Sequence, residues 1–274
     1  MTINCRGKLI DLSSPKVMGI LNITPDSFHD GGQYLEVPQA LSRVEKMLAE
    51  GADFIDIGGM SSRPGADIIS EEEELKRVMP VITSIVQKIP EAIISVDTLR
   101  AKVAKRALEA GAHVINDISA GRFDEAMLHT VAGFKAPYII MHMQGLPTDM
   151  QVAPKYNDVV IEVYDFFSER IKACRSAGII DTILDPGFGF GKNLEHNYTL
   201  LRNLSYFSNL RLPTLAGVSR KSMICKVLGV NPDKALNGTT AVNMLALMNG
   251  AQILRVHDVK EAKEVVKIFE AYKG

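Results

Sequence analysis

Eight short apolar runs recur along the chain, and segments with a helical pattern separate them. The runs are apolar at nearly every position instead of at alternate positions, which indicates strands buried on both faces of a parallel sheet. The intervening segments place apolar residues three and four apart and acidic residues in the first turn, as amphipathic helices do. The predicted strands lie at residues 16–22, 53–59, 92–97, 113–117, 137–142, 182–187, 214–219 and 252–258.

Three junctions between a predicted helix and the next strand share a Gly-Ala pair, at residues 51–52, 111–112 and 250–251. Glycine can take the left-handed conformation that ends a helix, and alanine lets the incoming strand pack closely. Eight strand and helix units in 274 residues predict an α/β fold, a single (β/α)8 TIM barrel domain over residues 1–274. An open doubly wound sheet is the alternative, but no GxGxxG motif follows the first strand. In a barrel, chemistry is expected at the carboxyl ends of the strands.

The composition and net charge disfavour several classes of binding partner and of structural site. Apolar residues make up 46% and charged residues 23% of the chain, and the net charge is −1, so no overall field attracts nucleic acid or an anionic membrane surface. The three cysteines are widely spaced without a CxxC pair, which disfavours a disulfide framework and a zinc site. No segment reads as a signal peptide or membrane span, so we expect a cytoplasmic protein.

Polar side chains stand at six of the eight predicted strand ends. Asp and Asn also favour turns and helix caps, so each of Asp97, Asn116 and Asp117 could simply cap a helix. Asp185 is followed by the glycine-rich loop DPGFGFGK, which suggests close approach to a flat ligand under aromatic cover. The alternative for Phe188 and Phe190 is packing beneath that loop.

The last two strand ends carry the basic groups. Arg220 and Lys221 lie at a predicted helix start, where a cation opposes the helix dipole and is better explained by a bound ligand; one of the two must face outward, solvated or in a salt bridge. Arg255 and His257 are two residues apart, so they share one side of the strand and could form a phosphate-sized pocket. Alternatively, His257 caps a helix and Arg255 pairs with a buried carboxylate.

These positions describe two adjoining pockets. Asp97, Asn116, Asp185 and Lys221 offer acceptors, an amide and a donor for a flat heterocycle with edge N–H groups and a carbonyl. Asn22, Arg255 and His257 suit an anionic leaving group. Ser-His-Asp order, HExxH and P-loop motifs are absent, which disfavours a serine hydrolase or nucleotide kinase.

A set of motifs follows in order along the chain: GILNITPDSFHDGG, DIGGMSSRPG, ISVDT, INDIS, MH, ILDPGFGFGK, GVSRKS and RVHD. This ordered set resembles the dihydropteroate synthase family over essentially the whole chain. The resemblance implies that (7,8-dihydropterin-6-yl)methyl diphosphate condenses with 4-aminobenzoate, giving 7,8-dihydropteroate and diphosphate. It also implies a Mg2+ cofactor and, commonly, a homodimer formed through barrel helices; the predicted helix around 238–249 could supply either core or interface.

The resemblance assigns roles to individual residues. The pterin falls on Asp97, Asn116, Asp185 and Lys221, and diphosphate with its Mg2+ falls on Asn22, Ser62, Arg255 and His257, with Asn22 as the metal ligand. Two loops, residues 23–34 and 60–70, would close over the amine substrate. The further candidates are Asp30 and Arg63 for closing the site, Phe28, Pro64 and Phe190 for the aminobenzoate slot, Lys221 and Ser222 for its carboxylate, and Met141 and Gly217 as substrate contacts.

Asp97, Asp185, Lys221 and Arg255 are the expected catalytic core, joined by the loop residues Asp30 and Arg63. The chain departs from the family's usual loops at Met60 and Ser62, where Glu and Thr are common, and at His29, where serine is common.

Two alternative functions are also compatible with parts of the sequence. A methyltransferase domain acting with a corrinoid partner would share the pterin contacts but needs no diphosphate pocket. A catalytically silent pterin-binding protein would lose Asp185, Lys221 or Arg255, which are all present.

Overall fold

An antiparallel hairpin begins the chain, and a barrel of parallel strands follows it. The computed structural model describes residues 1–23, 33–60, 69–145 and 154–274, without the side chains of 33–36. The hairpin consists of β1 (Thr2–Cys5) and β2 (Lys8–Asp11). The parallel strands are β3 (Lys16–Asn22), β4 (Phe54–Gly58), β5 (Ile94–Asp97), β6 (Val114–Asp117), β7 (Tyr138–Met141), β8 (Thr182–Asp185), β9 (Leu215–Ala216) and β10 (Ile253–Val256).

Helices follow the parallel strands and surround the barrel. Their bounds are α1 (Gln33–Ala49), α2 (Glu71–Lys88), α3 (Ala101–Ala110), α4 (Met127–Phe134), α5 (Val159–Ala177), α6 (Leu194–Arg202), α7 (Ser222–Leu228), α8 (Leu236–Met248) and α9 (Val259–Lys273). Short 3-10 segments occupy Leu204–Leu210 and Pro232–Lys234. Of the helices that the structure describes, none is both long and apolar enough to cross a membrane.

The order of the strands confirms the predicted (β/α)8 barrel. Neighbours run β8-β7-β6-β5-β4-β3-β10-β9, all parallel. The ends of this sheet meet where Leu184 N donates to Pro213 O at 2.8 Å and Leu184 bridges Thr214 in parallel. All eight strands predicted from the sequence are present; β3 has the predicted bounds, and the other seven are shorter than predicted.

The predicted junction glycines end their helices as expected. Gly51, Gly111 and Gly250 have φ values of 99°, 115° and 96°, the left-handed region in which glycine lacks the steric cost of a side chain. At the start of α2, the hydroxyl of Ser70 accepts a hydrogen bond from Glu73 N at 3.2 Å. That cap and the four glutamates of the first turn satisfy the exposed N–H groups and the helix dipole.

The hairpin closes the amino-terminal end of the barrel, and the strand pattern of the sequence did not predict it. Arg6 and Gly7 form its two-residue turn, with φ values of 53° and 91° that match the twist of a tight hairpin. Ile3, Cys5 and Leu12 are buried against a layer formed by the first residues of the strands. That layer contains Met18, Phe54, Ile93, Val114, Ile139, Ile183, Leu215 and Ile253.

The apolar layer under the barrel determines which side chains reach the opposite end. Side chains alternate across a strand, so residues two and four positions beyond the layer also face the barrel interior. Those positions include Asn22, Asp56, Asp97, Asn116, Met141, Asp185, Gly217, Arg255 and His257. The interior is therefore apolar where the hairpin covers it and polar at the carboxyl ends.

We expect Ile3→Ala to lower the free energy of unfolding by about 2–5 kcal/mol, because Ile3 is 2% exposed and its loss leaves a cavity beneath the barrel. Leu9→Ala on the same hairpin is the control. Leu9 is 67% exposed, so its truncation should change stability by less than about 0.5 kcal/mol. Urea denaturation measures the free energy of unfolding of both variants. Equal losses would contradict the conclusion that the hairpin closes the barrel through its buried side chains.

Candidate active site

A buried arginine between two carboxylates occupies the centre of the carboxyl-terminal end of the barrel. Arg255 Nε donates to Asp56 Oδ2 at 2.6 Å, and Nη2 donates to Asp97 Oδ2 at 2.8 Å. The side chains of Arg255, Asp56 and Asp97 are 16%, 0% and 10% exposed. The carboxylate pairing considered as the alternative for Arg255 is thus present, and it involves two acids.

Strand register places further polar groups around this cluster. Asn22 pairs with Gly58, Gly58 with Asp97, and Asp97 with Asn116, so these four strand ends stand side by side. Asn116 Nδ2 donates to Asp56 Oδ2 at 3.0 Å. Asn22 Oδ1 and Asp97 Cβ each lie 3.6 Å from the position that a Cβ on Gly58 would take, so that glycine keeps the gap between them open.

Asp56 is the functional candidate that the sequence reasoning missed. Its Oδ1 is buried without a hydrogen-bond partner among the described residues, while Oδ2 serves both Arg255 and Asn116. The available signal was a charged residue inside the apolar run DFIDIGG, two positions beyond Phe54 and on the same face.

Burial and neighbouring charges shift the ionisation of this cluster. Burial raises the pKa of Asp97 to about 7, with Arg255 opposing the shift and Asp56 adding to it. Burial alone would lower the pKa of Arg255, but Asp56 and Asp97 outweigh it and raise that pKa above its ordinary value. The guanidinium therefore stays charged.

Lys221 and Asp185 face the site from the adjoining strand ends. Lys221 Nζ donates to Phe188 O and lies 4.6 Å from the centre of the Phe190 ring. Burial lowers the pKa of Lys221 to about 8, although Asp185 acts in the opposite direction. Burial also raises the pKa of Asp185, whose Oδ1 accepts a hydrogen bond from Gly187 N at 2.8 Å.

Arg220 is the member of the basic pair that turns away from the site, in a salt bridge as predicted. Its Nε and Nη2 each donate to Asp258 at 2.8 Å. Ser222, the first residue of α7, is exposed beside Lys221. Gly217 leaves room between the two inward cations: a Cβ there would lie 3.8 Å from Lys221 Nζ and 3.9 Å from Arg255 Cβ.

His257 and Ser219 complete the basic side of the site. The His257 ring nitrogen Nδ1 lies 3.0 Å from Ser219 Oγ, which also accepts a hydrogen bond from His257 N at 3.2 Å. This contact joins the ends of β9 and β10 and fixes the imidazole beside the strand that carries Arg255.

Asp117 does not share the environment of its neighbour Asn116. Its carboxylate accepts hydrogen bonds from Tyr138 Oη at 2.6 Å, from Ser119 N and Oγ at 2.7 Å, and from Gly121 N at 2.8 Å. Asp117 therefore stabilises the turn after β6 and does not cap the next helix, which begins at Met127, whereas Asn116 faces the barrel interior.

The glycine-rich loop after β8 approaches protein backbone closely. A Cβ on Gly187 would collide with the carbonyl oxygen of His142, and one on Gly191 would collide with that of Gln144. Phe188 is buried in the main core, so the packing alternative holds for this residue. Phe190 instead packs with Met141 and Met60 near the strand ends, beside Lys221.

Comparison with known proteins identifies the family. Residues 18–257 match the family described as "Pterin binding enzyme". The dihydropteroate synthase of Escherichia coli K12 is 49% identical over 273 residues, which are 99% of this chain and 96% of that protein. The Haemophilus influenzae enzyme is 47% identical, over 99% of this chain and 98% of its own. The chain belongs to the dihydropteroate synthase family.

Solved dihydropteroate synthase structures share the whole fold. A Yersinia pestis synthase crystallised with a sulfonamide drug complex has a TM-score of 0.94 and 48% identity, covering 100% of this chain and 99% of that one. A Xanthomonas albilineans synthase in complex with 7,8-dihydropteroate has a TM-score of 0.90 and 39% identity, with the same coverage. These relatives favour the synthase over both the corrinoid-dependent methyltransferase and the silent pterin-binding protein.

Several predicted synthase residues lie outside the described residues. These are Phe28, His29, Asp30, Ser62, Arg63 and Pro64. Among the described residues, no group of three His, Cys, Asp or Glu side chains could hold a metal ion. Asn22, half-buried at the end of β3, is the described residue of the predicted metal site.

We expect Asp56→Asn to lower the free energy of unfolding by about 1–3 kcal/mol, because it removes the negative charge that pairs with Arg255 and places an NH2 group where Oδ1 has no partner among the described residues. Asp165→Asn makes the same chemical change on the exposed surface of α5 and should leave stability near wild type. Urea denaturation measures both. Equal stability of the two variants would show that Asp56 does not hold the cluster.

Proposed function

We propose that the strand-end residues around Arg255 carry out the synthase reaction. In this transferase reaction of folate biosynthesis, (7,8-dihydropterin-6-yl)methyl diphosphate and 4-aminobenzoate give 7,8-dihydropteroate and diphosphate. The observation that carries the proposal is the grouping of Asp97, Asn116, Asp185 and Lys221 around Arg255, a set of acceptors and cations above an apolar barrel floor.

The pterin ring would bind between the acids and Lys221. Asp97, Asn116 and Asp185 offer oxygen acceptors for the ring's N–H groups, and Lys221 offers a donor for its carbonyl. Buried acceptors discriminate strongly between ligands, because a ligand that lacks the matching N–H groups leaves the acceptors without hydrogen bonds. Met141, fully buried on the same face, would form part of the pocket wall.

The diphosphate would bind on the side of Arg255 and His257, with Gly217 leaving the space. Arginine provides planar paired donors for phosphate oxygens. Because Arg255 is already bonded to Asp97, it joins the two pockets instead of belonging to one. Arg255→Ala should therefore weaken both diphosphate and pterin binding, although the sequence placed Arg255 only in the pocket for the anionic leaving group.

The chemistry requires separation of charge rather than a strong base. The methylene carbon–oxygen bond breaks and its electron pair leaves with diphosphate, while the amine nitrogen forms the new bond to carbon and then releases a proton. The carboxylates of Asp97 and Asp185 stabilise positive charge that develops on the pterin. Arg255 stabilises the negative charge on the leaving group, and the buried strand ends limit access of water.

Asn22 fits a Mg2+ that binds together with diphosphate. Mg2+ usually takes one or two protein oxygens and completes its shell with phosphate oxygens and water, so a single amide oxygen at the edge of the site is sufficient. Asn22 Oδ1 lies beside Gly58, next to Asp97. When bound, Mg2+ would neutralise charge on the leaving diphosphate.

The aminobenzoate would bind on the outer side of the pterin. Phe190 supplies an aromatic face, and Lys221 with the exposed Ser222 could meet the carboxylate. The resemblance also predicts Phe28 and Pro64 for the aminobenzoate slot, Asp30 and Arg63 for closing the site, and Ser62 for the diphosphate.

The decisive test is formation of dihydropteroate and diphosphate by the purified protein with Mg2+ and both substrates. We expect Asp185→Asn to raise the KM for the pterin diphosphate and to leave diphosphate affinity largely intact, and Arg255→Ala to impair both. The release of diphosphate is the quantity measured to detect product formation. A folded wild-type protein that releases none would refute the synthase function, and a normal pterin KM in Arg255→Ala would refute the bridging role.

We infer that residues 1–274 form one pterin-binding domain that acts as a cytoplasmic homodimer through α7, α8 and α9. The buried side of α8 contains Val242 and Leu247, while Leu245 and Met248 are exposed. Val227 and Leu228 on α7 and Ile268 on α9, helices that contact α8, are also exposed apolar residues.

Sedimentation equilibrium tests the dimer. Leu245→Glu with Met248→Glu should shift wild-type dimer to monomer, because burying two carboxylates in an apolar interface is costly. Ile180→Glu, at an exposed residue before β8, is the control and should remain dimeric. A monomeric wild type would overturn the inference.

A further inference from the structure

Lys192, the last residue of the DPGFGFGK loop, holds a buried amino group behind the pocket. Its side chain is 2% exposed. Nζ lies 2.9 Å from His142 Nδ1 and donates to His142 O at 3.2 Å, Gly187 O at 3.0 Å and Phe190 O at 2.9 Å. These partners belong to the segments that follow β7 and β8, so one side chain links two neighbouring strand ends.

The chemistry of this contact is unusual for a lysine. Its hydrogen-bond partners among the described residues are three carbonyl oxygens and a ring nitrogen, with no carboxylate among these four. Burial lowers the pKa of Lys192 well below its ordinary value, and Asp185 opposes that shift. Burial also lowers the pKa of His142 to about 2, so the ring is neutral, and in the tautomer with its proton on Nε2 the Nδ1 atom can share a hydrogen bond from Lys192 Nζ with the neighbouring carbonyls.

The backbone groups that Lys192 holds are those that place the pocket residues. Gly187 N donates to Asp185 Oδ1, and the carbonyl of the same glycine accepts from Lys192. Phe190, whose ring lies beside Lys221, is held through its own carbonyl.

Two further side chains hold the residues between these points. Lys221 donates to Phe188 O, and Gly189 N donates to Asn197 Oδ1 at 2.7 Å. Residues 187–190 are therefore held at consecutive backbone positions. Lys192 supplies the first and the last of these contacts.

We propose that Lys192 is a positioning residue for the synthase reaction: paired with His142, it fixes the loop that orients Asp185 toward the pterin and Phe190 toward the aminobenzoate. This inference rests on the proposed function. Lys192 itself touches neither substrate; it acts through the loop. Loss of its amino group would remove this donor from Phe190 O and leave Gly187 O with the hydrogen bond from Phe190 N at 3.0 Å, so both side chains could drift from the strand ends.

The first test compares Lys192→Met with Lys172→Met, which removes an exposed lysine from α5. We expect Lys192→Met to bind 6-hydroxymethyl-7,8-dihydropterin at least tenfold more weakly and to raise the KM for 4-aminobenzoate. Its affinity for diphosphate with Mg2+, which depends on the other side of the site, should stay within twofold. Isothermal titration with each ligand separates these effects, and a general loss of structure would weaken both ligands together.

The second test uses His142 and keeps the lysine. In His142→Asn, a side-chain oxygen can replace Nδ1 as acceptor, and in His142→Leu it cannot. We expect the asparagine variant to bind the pterin within threefold of wild type and the leucine variant at least tenfold more weakly. If Lys192→Met does not fold, the two His142 variants still test the proposal.

The outcomes distinguish a failure of the proposed function from a failure of the positioning role of Lys192. A folded wild-type protein that fails to bind the pterin refutes the proposed function. Wild-type pterin binding that is unchanged in folded Lys192→Met, or equal in the two His142 variants, refutes the positioning role alone. Weak binding of both pterin and diphosphate in Lys192→Met would likewise assign the lysine to general stability.

Discussion

The site depends on the placement of one guanidinium between two carboxylates inside the barrel. Burying Arg255, Asp56 and Asp97 removes each charge from water, a cost that mutual attraction offsets only when the hydrogen bonds are well formed. When both acids are ionised the cluster has an excess negative charge, because two carboxylates face one arginine, and this excess is lost as the pH falls through the pKa of Asp97 at about 7. Such a cluster is suited to a substrate ring that becomes positive during the reaction, and Lys221 beside Asp185 balances the opposite wall.

The barrel makes this cluster possible because side chains alternate between the two faces of each strand, so the residues that face the interior form layers along the barrel axis. The hairpin covers the apolar layer, and residues two and four positions further along meet at the opposite mouth. A one-residue shift of any strand would exchange these side chains with those that face the helices. The apolar floor thus sets the register of the polar site, although the two are separated by the depth of the barrel.

Local pattern predicted the strands, the left-handed glycines, the barrel and most strand-end candidates, because these depend on residues close in sequence. It missed features defined by distant partners. Asp56 meets Arg255 across 199 positions of the chain, and Lys192 meets His142 across 50. The hairpin was missed because its four-residue strands carry polar residues and lack the uniform apolar character of the barrel strands. The aromatic pair was ambiguous for a similar reason: only loop packing distinguishes Phe188 in the core from Phe190 at the site.

The hydrogen-bond capacity of Arg255 explains how one residue can serve structure and substrate together. A guanidinium has five N–H groups, and the contacts to Asp56 and Asp97 use one on Nε and one on Nη2. Three remain for phosphate oxygens, and the two carboxylates hold the planar group in a fixed orientation before any substrate arrives. A lysine at this position could not keep both acids paired and still present a planar set of donors. The ion pairs are therefore the means by which the cation for the leaving group is pre-organised, and the entropy of ordering that side chain is lost during folding instead of during catalysis.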